Sequence, residues 1–233
     1  MIERYSITSS PLTLKERFGV EVPAYYAPSY NAAPTKLLPV ITNTSPNGIS
    51  TFYWGETPGW AKNKTPGEKL INVRIESLSE KLSLRKALAK TRCIIPADSF
   101  YGWKKVGKKT SIPYRFVTTS NSIFSFPGLW EEYEDVEGKE MMHTFTIFTT
   151  AANELVSTVQ DRMPVIFDRS AELAWLSKDA SESELFELLQ HNLPLTLNYY
   201  PVSPRINDPN IDVPSLITPT PPSDQFGNLT LFD

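Results

Sequence analysis

Gln160-Asp161-Arg162-Met163-Pro164 separates a segment of helical character, Ala151 to Val159, from the apolar run Val165-Ile166-Phe167. The ring of Pro164 disfavours the α region for Met163, so the backbone turns here and then extends. One reading stops there, with a turn that feeds a strand. The other gives the polar heads a task, because Arg162 can grip an anion through two parallel N–H donors, while Gln160 can donate and accept hydrogen bonds but cannot titrate. The local pattern leaves both open.

Composition narrows the class. In 233 residues, 40% hydrophobic, 12% aromatic and 21% charged side chains describe a soluble globular chain with enough apolar material for one sizeable core. A net charge of -3 argues against broad electrostatic binding to nucleic acid and leaves room for a local basic groove. No run of about 18 apolar residues occurs, and Met1-Ile2-Glu3-Arg4-Tyr5 lacks a basic start followed by an apolar segment, so no membrane association and a cytoplasmic location are expected. Cys93 is the single cysteine and lies in the strand-like Arg92-Cys93-Ile94-Ile95-Pro96, which reads as a buried, inert thiol. His143 and His191 have no second ligand at metal spacing, so neither a metal nor a cofactor is expected.

Outward from the pentapeptide, the periodicities alternate between short strands and amphipathic helices. Thr13 to Phe18 reads as a first helix, Lys36 to Thr42 and Ser50 to Trp54 as strands around Ser45-Pro46-Asn47-Gly48, and Glu76 to Lys90 as an amphipathic helix. Strand-like runs follow at 93–95, 100–104, 114–118, 123–130 and 143–149, a spacing that favours a curved antiparallel sheet or partial barrel. Asp168 is placed to cap a helix reaching Leu176, and Ser181 with Glu184 forms a capping-box pattern for a helix ending near His191. Thr196 to Val202 reads as a strand, and Thr218-Pro219-Thr220-Pro221-Pro222-Ser223 as an extended spacer outside the core.

A series of short motifs runs the length of the chain: Arg4-Tyr5-Ser6, Tyr30-Asn31-Ala32-Ala33-Pro34-Thr35, Trp54-Gly55 with Pro58-Gly59-Trp60, and Ile71-Asn72-Val73-Arg74-Ile75-Glu76-Ser77. Pro96-Ala97-Asp98-Ser99-Phe100-Tyr101-Gly102-Trp103, Phe145-Thr146-Ile147 with Thr149-Thr150-Ala151-Ala152, Arg162-Met163-Pro164 and Pro201-Val202-Ser203 follow. Together, in this order, they resemble the SRAP family of abasic-site-processing proteins of the DNA damage (SOS) response, which crosslink themselves to damaged single-stranded DNA. The resemblance implies a single α+β domain with a barrel-like β core and peripheral helices over residues 1–207, with 208–233 as a proline-rich C-terminal tail. Function needs a separate argument from the site.

The resemblance also implies a chemistry that this chain departs from. In the family, removal of the initiator methionine exposes a cysteine whose amine and thiol both attack the aldehyde of the ring-opened sugar, closing a thiazolidine. Here position 2 is Ile2, whose large branched side chain disfavours removal of Met1 and offers no thiol. The terminal amine, with an ordinary pKa of about 7.7–8.0, could still form an imine but not trap it. The family's glutamate, in an aromatic-Glu-Trp triplet, corresponds to Gly102 of Tyr101-Gly102-Trp103, and its acid/base histidine corresponds to Gln160. Loss of general acid/base help alone costs about 10²–10⁴-fold. Nucleophile, carboxylate and imidazole missing together read as an abandoned reaction.

Binding positions are retained. By resemblance, Asn72 and Arg74 match residues lining the sugar pocket and its phosphates, Arg4 and Arg162 match phosphate-contacting arginines, and Trp60 and Trp103 match aromatic positions beside the DNA; Asn31 is counted with them. Lys104, Lys105, Lys108 and Lys109 form either a basic loop or a solvated hairpin tip, and Glu76 is assigned a structural hydrogen bond to backbone. Asn228-Leu229-Thr230-Leu231-Phe232 resembles the sliding-clamp pentapeptide Gln-Leu-x-Leu-Phe, which makes Leu229, Leu231 and Phe232 partner-binding candidates. The expected function is binding of single-stranded or abasic-site DNA without covalent capture. The alternatives are residual abasic-site processing through a transient imine and a non-DNA interaction protein.

Overall fold

The computed structural model describes residues 1–55, 71–134, 141–190 and 196–229. Its elements are β1 (Tyr5–Ile7), α1 (Pro11–Phe18), β2 (Ser29–Ala32), β3 (Leu37–Thr42), β4 (Ser50–Trp54), β5 (Asn72–Arg74), a 3-10 turn (Ile75–Leu78), α2 (Leu82–Lys90) and β6 (Arg92–Ala97). They continue as β7 (Ser99–Lys105), β8 (Ser111–Thr118), β9 (Phe124–Glu134), β10 (Met141–Ala151), α3 (Glu154–Ser157), β11 (Arg162–Pro164), α4 (Arg169–Leu176), α5 (Glu182–Gln190) and β12 (Leu197–Pro201). Two further 3-10 turns follow, Pro204–Asn207 and Pro214–Ile217.

Five strands close a barrel, because β10 pairs with β4, β4 with β3, β3 with β6, β6 with β9, and β9 again with β10. Closure removes the free edges that an open sheet would leave. The expected antiparallel pattern holds except along β10, which pairs in parallel with β4 and with β5. A second sheet, in the order β12-β8-β7-β1-β2, is antiparallel throughout its pairings and shares the core with the barrel. Tyr5 of β1 meets Trp54 and Phe126 of the barrel edge-on, with ring centroids 5.4 and 5.7 Å apart.

Local chemistry sets the helices. Ser10 caps α1 by accepting from Thr13 N, Pro11 opens the helix, and Gly19 ends it at φ 70. Asp168 accepts from Ala171 N at 2.9 Å, and the Ser181/Glu184 capping box forms in both directions. Arg92, buried on β6, donates to the carbonyls of Leu88, Ala89, Trp175 and Ser177, and so satisfies the C-terminal ends of both α2 and α4.

Three expectations need correction. The span 76–90 is not one helix, because Ser79 Oγ bonds back to the Glu76 carbonyl and the chain makes a 3-10 turn before α2 begins at Leu82. The span 151–159 shrinks to Glu154–Ser157, since Ala151 stays in β10 opposite Arg162 and Asn153 caps at Val156 N. The tail expected from residue 208 onward also packs on the domain: Leu216 is fully buried against Tyr101, Val202 and Ile206, and within the expected spacer 218–223 Thr220 N donates to the Pro201 carbonyl. A proline lacks the N–H that helices and ladders use, but this does not prevent burial of the apolar residues between prolines. Farther on, Gln225 accepts from Ser111 N and donates to the Lys109 carbonyl, while Asp224 folds Asn228 into a turn.

Candidate nucleic-acid interface

Strands distant in sequence assemble the candidate site. Tyr5 pairs with Phe100, so Met1 to Arg4 leave the second sheet beside β7. β5 lies along one edge of β10, with Arg74 opposite Thr149, and β11 lies along the other, with Arg162 opposite Ala151.

At the position of the family nucleophile, Ile2 is fully buried in the main core and its carbonyl accepts from Asn72 Nδ2 at 2.7 Å. Asn72 Oδ1 is buried without a partner, and Met1 is 63% exposed. Gly102 and Gln160 are brought together, with the amide of Gln160 packed over the bare backbone of Gly102. Gln160 Nε2 donates to the Arg162 carbonyl at 2.8 Å, which fixes the amide in that place.

The arginines differ in their surroundings. Arg74 is exposed, and among the described residues its side chain makes no hydrogen bond. Arg162 donates Nη1 and Nη2 to the two carboxylate oxygens of Glu76, each at 3.0 Å, and Nη2 also reaches the Thr149 carbonyl at 2.7 Å. The Arg162 bond holds the Glu76 carboxyl below its ordinary pKa. Glu76 therefore has a side-chain cation as its main partner, beside a contact with its own backbone. Arg4 is half-buried, which lowers its pKa by desolvation; it donates to the carbonyl of Glu3 and, at 3.5 Å, to that of Asn207.

Trp103 is partly buried, and its Nε1 donates to Asn207 Oδ1 at 2.8 Å. Asn31 is fully buried and donates to the carbonyls of Ile206, Asp208 and Ile211, so its side chain holds the segment carrying Asn207 and does not reach the surface. Asp212 in turn accepts from the backbone of Tyr30 and Asn31. Asn207, Asp212 and the Glu76 pairing were missed in sequence because their partners lie up to 203 positions away. The weak signal for Glu76 was its place two residues after Arg74.

Lys105, Lys108 and Lys109 are exposed around the β7–β8 turn. Cys93 is fully buried and its thiol pKa is pushed up by desolvation, which fits an inert thiol. His143 stacks on Phe52 and lies 3.5 Å from Glu132. Trp60, His191, Leu231 and Phe232 fall outside the described residues, whereas Leu229 is described and 64% exposed. Among the described residues no group of three or more His, Cys, Asp or Glu side chains could hold a metal ion, and no helix is long and apolar enough to cross a membrane.

The sequence profile of the family described as SOS response associated peptidase (SRAP) matches residues 1–209. The chain is 41% identical over 222 residues to the abasic site processing protein YoqW of Bacillus subtilis, covering 93% of this chain and 99% of that one. It is 28% identical over 227 residues to the abasic site processing protein HMCES of Gallus gallus, covering 83% of this chain and 67% of that one. Among solved structures, a protein from Bacteroides thetaiotaomicron superposes with a TM-score of 0.80 at 24% identity, covering 93% of this chain and 99% of that one. A phage-related protein from Bordetella bronchiseptica gives 0.68 at 22% identity, covering 86% and 93%. These two likenesses carry the fold alone.

Proposed function

This chain belongs to the SRAP family, and from that premise we propose that it binds single-stranded or abasic-site DNA non-covalently, at the surface where the N-terminus, β5, β7 and β11 meet. The carrying observation is the amide of Gln160 packed over Gly102, together with the burial of Ile2 in the core. A carboxamide that cannot titrate occupies the space a carboxylate would need, and the residue at position 2 presents an aliphatic side chain to the core in place of a thiol. Proton transfer and imine trapping both lose their groups. The association with abasic DNA is supported by the names of the relatives, and the exposed Arg74 offers a phosphate contact that does not read sequence.

The test mixes full-length protein with an abasic single-stranded oligonucleotide and reads anisotropy, intact mass and borohydride trapping. Salt-dependent binding with no mass adduct is the expected result. A stable adduct would sink the non-covalent reading, a borohydride-dependent adduct would favour the transient-imine alternative, and no binding at low salt would remove the DNA role.

A cytoplasmic site of action and a sliding-clamp partner complete the proposal. Leu229 is exposed, which supports an accessible tail, although Asn228 is tied to Asp224 and would have to let go. A peptide of residues 223–233 should bind purified clamp better than its Leu231→Ala, Phe232→Ala version; equal titrations would eliminate the clamp.

A further inference from the structure

We propose that Glu76 is a built-in stand-in for phosphate: its carboxylate occupies the anion-gripping fork of Arg162, so a nucleic-acid phosphate reaches Arg162 only by displacing Glu76, while Arg74 is open from the start. This inference rests on the DNA-binding reading above.

The geometry is that of anion recognition. Nη1 to Oε1 and Nη2 to Oε2 are both 3.0 Å, the paired N–H···O arrangement with which arginine takes a phosphate. The guanidinium cannot swing out to meet a ligand, because Nη2 is also held from behind by the Thr149 carbonyl at 2.7 Å and the side chain is only 14% exposed. The ligand must therefore come to the place of Glu76. Glu76 is free to leave, since its side chain is 55% exposed and water replaces much of what a surface ion pair supplies. Holding Arg162 is not a sufficient reason for the pair, because Thr149 already does so through its carbonyl and, at 3.3 Å, its hydroxyl.

The exchange makes Glu76 a specificity-determining residue. A charged phosphate can compete for the fork, whereas a neutral segment of ligand has nothing to offer in place of the carboxylate. Binding at Arg74 comes first and raises the local concentration of the next phosphate, which then completes the exchange at Arg162.

Anisotropy titrations of a labelled, undamaged single-stranded oligonucleotide into full-length protein test this with wild type, Glu76→Gln, Arg162→Ala and the double variant. Glu76→Gln should bind about two- to fivefold tighter, since no carboxylate then has to be displaced before a phosphate reaches Arg162. Arg162→Ala should abolish that gain in the double variant. Equal or weaker binding by Glu76→Gln, with wild-type melting, would overturn the proposal in favour of a purely positioning ion pair. A gain that survives Arg162→Ala would also overturn it, because it would reflect net charge alone. If neither wild type nor Glu76→Gln binds, the DNA-binding reading itself fails; if wild type binds and Glu76→Gln gains nothing, only this inference does.

Discussion

A β-carbon placed on Gly102 would stand 2.8 Å from Gln160 Oε1 and 3.0 Å from Phe116 Cε2, so the bare backbone at 102 and the amide at 160 share one volume. Alanine in place of a strand glycine ordinarily stabilises by about 0.5–1 kcal/mol. Here Gly102→Ala should instead destabilise by about 1–3 kcal/mol through overpacking, read as a lower melting temperature. Removing the amide with Gln160→Ala should recover part of that loss, giving a coupling of about 0.5–3 kcal/mol in a double-mutant cycle. Strict additivity would show that the two residues do not share the space.

The same shared volume sets the order in which a crosslinking reaction could be rebuilt. Ile2→Cys supplies a thiol and, with it, a second residue small enough to favour loss of Met1. It leaves Gln160 over Gly102, with no carboxylate and no imidazole. Ile2→Cys alone should therefore form an adduct with abasic single-stranded DNA slowly. Combined with Gly102→Glu and Gln160→His it should react about 10²–10⁴-fold faster, followed by intact mass over time. Equal rates for the single and triple variants would show that proton transfer was not limiting.

Asp212 gives the site a dependence on acid. It accepts from Ser29 Oγ at 2.8 Å, Tyr30 N at 2.6 Å and Asn31 N at 3.0 Å, and pairs with Lys36 at 3.2 Å. Burial would raise its pKa, but these partners outweigh burial and hold it below the ordinary value. Its stabilisation is therefore fully present above the unfolded pKa of about 3.9 and is lost as pH falls through the lower folded value. Asp212→Asn should cost about 1–3 kcal/mol at pH 7 and flatten the acid side of the stability profile. It should also shift tryptophan fluorescence, because Asp212 holds Asn31, Asn31 holds the carbonyls of Ile206 and Asp208 on either side of Asn207, and Asn207 accepts from Trp103. A variant with wild-type melting and an unchanged acid-side slope would refute the anchoring role.

Elements whose cause is local were legible in sequence. The Asp168 cap, the Ser181/Glu184 box and the strands around Cys93, Phe100 and Tyr114 follow from spacing and capping chemistry within a few residues. What was illegible depends on distant partners. Nothing near Tyr5 or Ser29 announces a strand; β1 and β2 exist because they pair with each other, and β1 also with β7. Leu216 fell within the stretch read as a proline-rich tail, yet it packs against Tyr101, Val202 and Ile206. At the candidate site, motif order singled out Asn72, Arg74, Gly102 and Gln160 for attention, but could not show that Asn31 faces inward or that Glu76 already occupies Arg162.

Glu172 is a buried carboxylate whose contribution to stability depends on its partner. It is 1% exposed and accepts from Arg17 Nη1 and Nη2, both at 2.8 Å, and from Ser125 Oγ at 2.9 Å. Burial pushes its pKa up by more than Arg17 and Ser125 pull it down. With a folded pKa above the unfolded value of about 4.3, its favourable contribution is complete below that value and declines as pH rises through the folded pKa. Arg17→Met strands the charge and should cost about 3–5 kcal/mol at pH 7. The cost should be smaller near pH 5, where the carboxyl can take up a proton in place of its lost partner. Adding Glu172→Gln should recover much of the stability, because no buried charge then remains. Thermal melts at both pH values decide the matter: an equal loss at pH 5 and pH 7, or a double variant no better than Arg17→Met, would mean that the stranded charge is not the source of the loss.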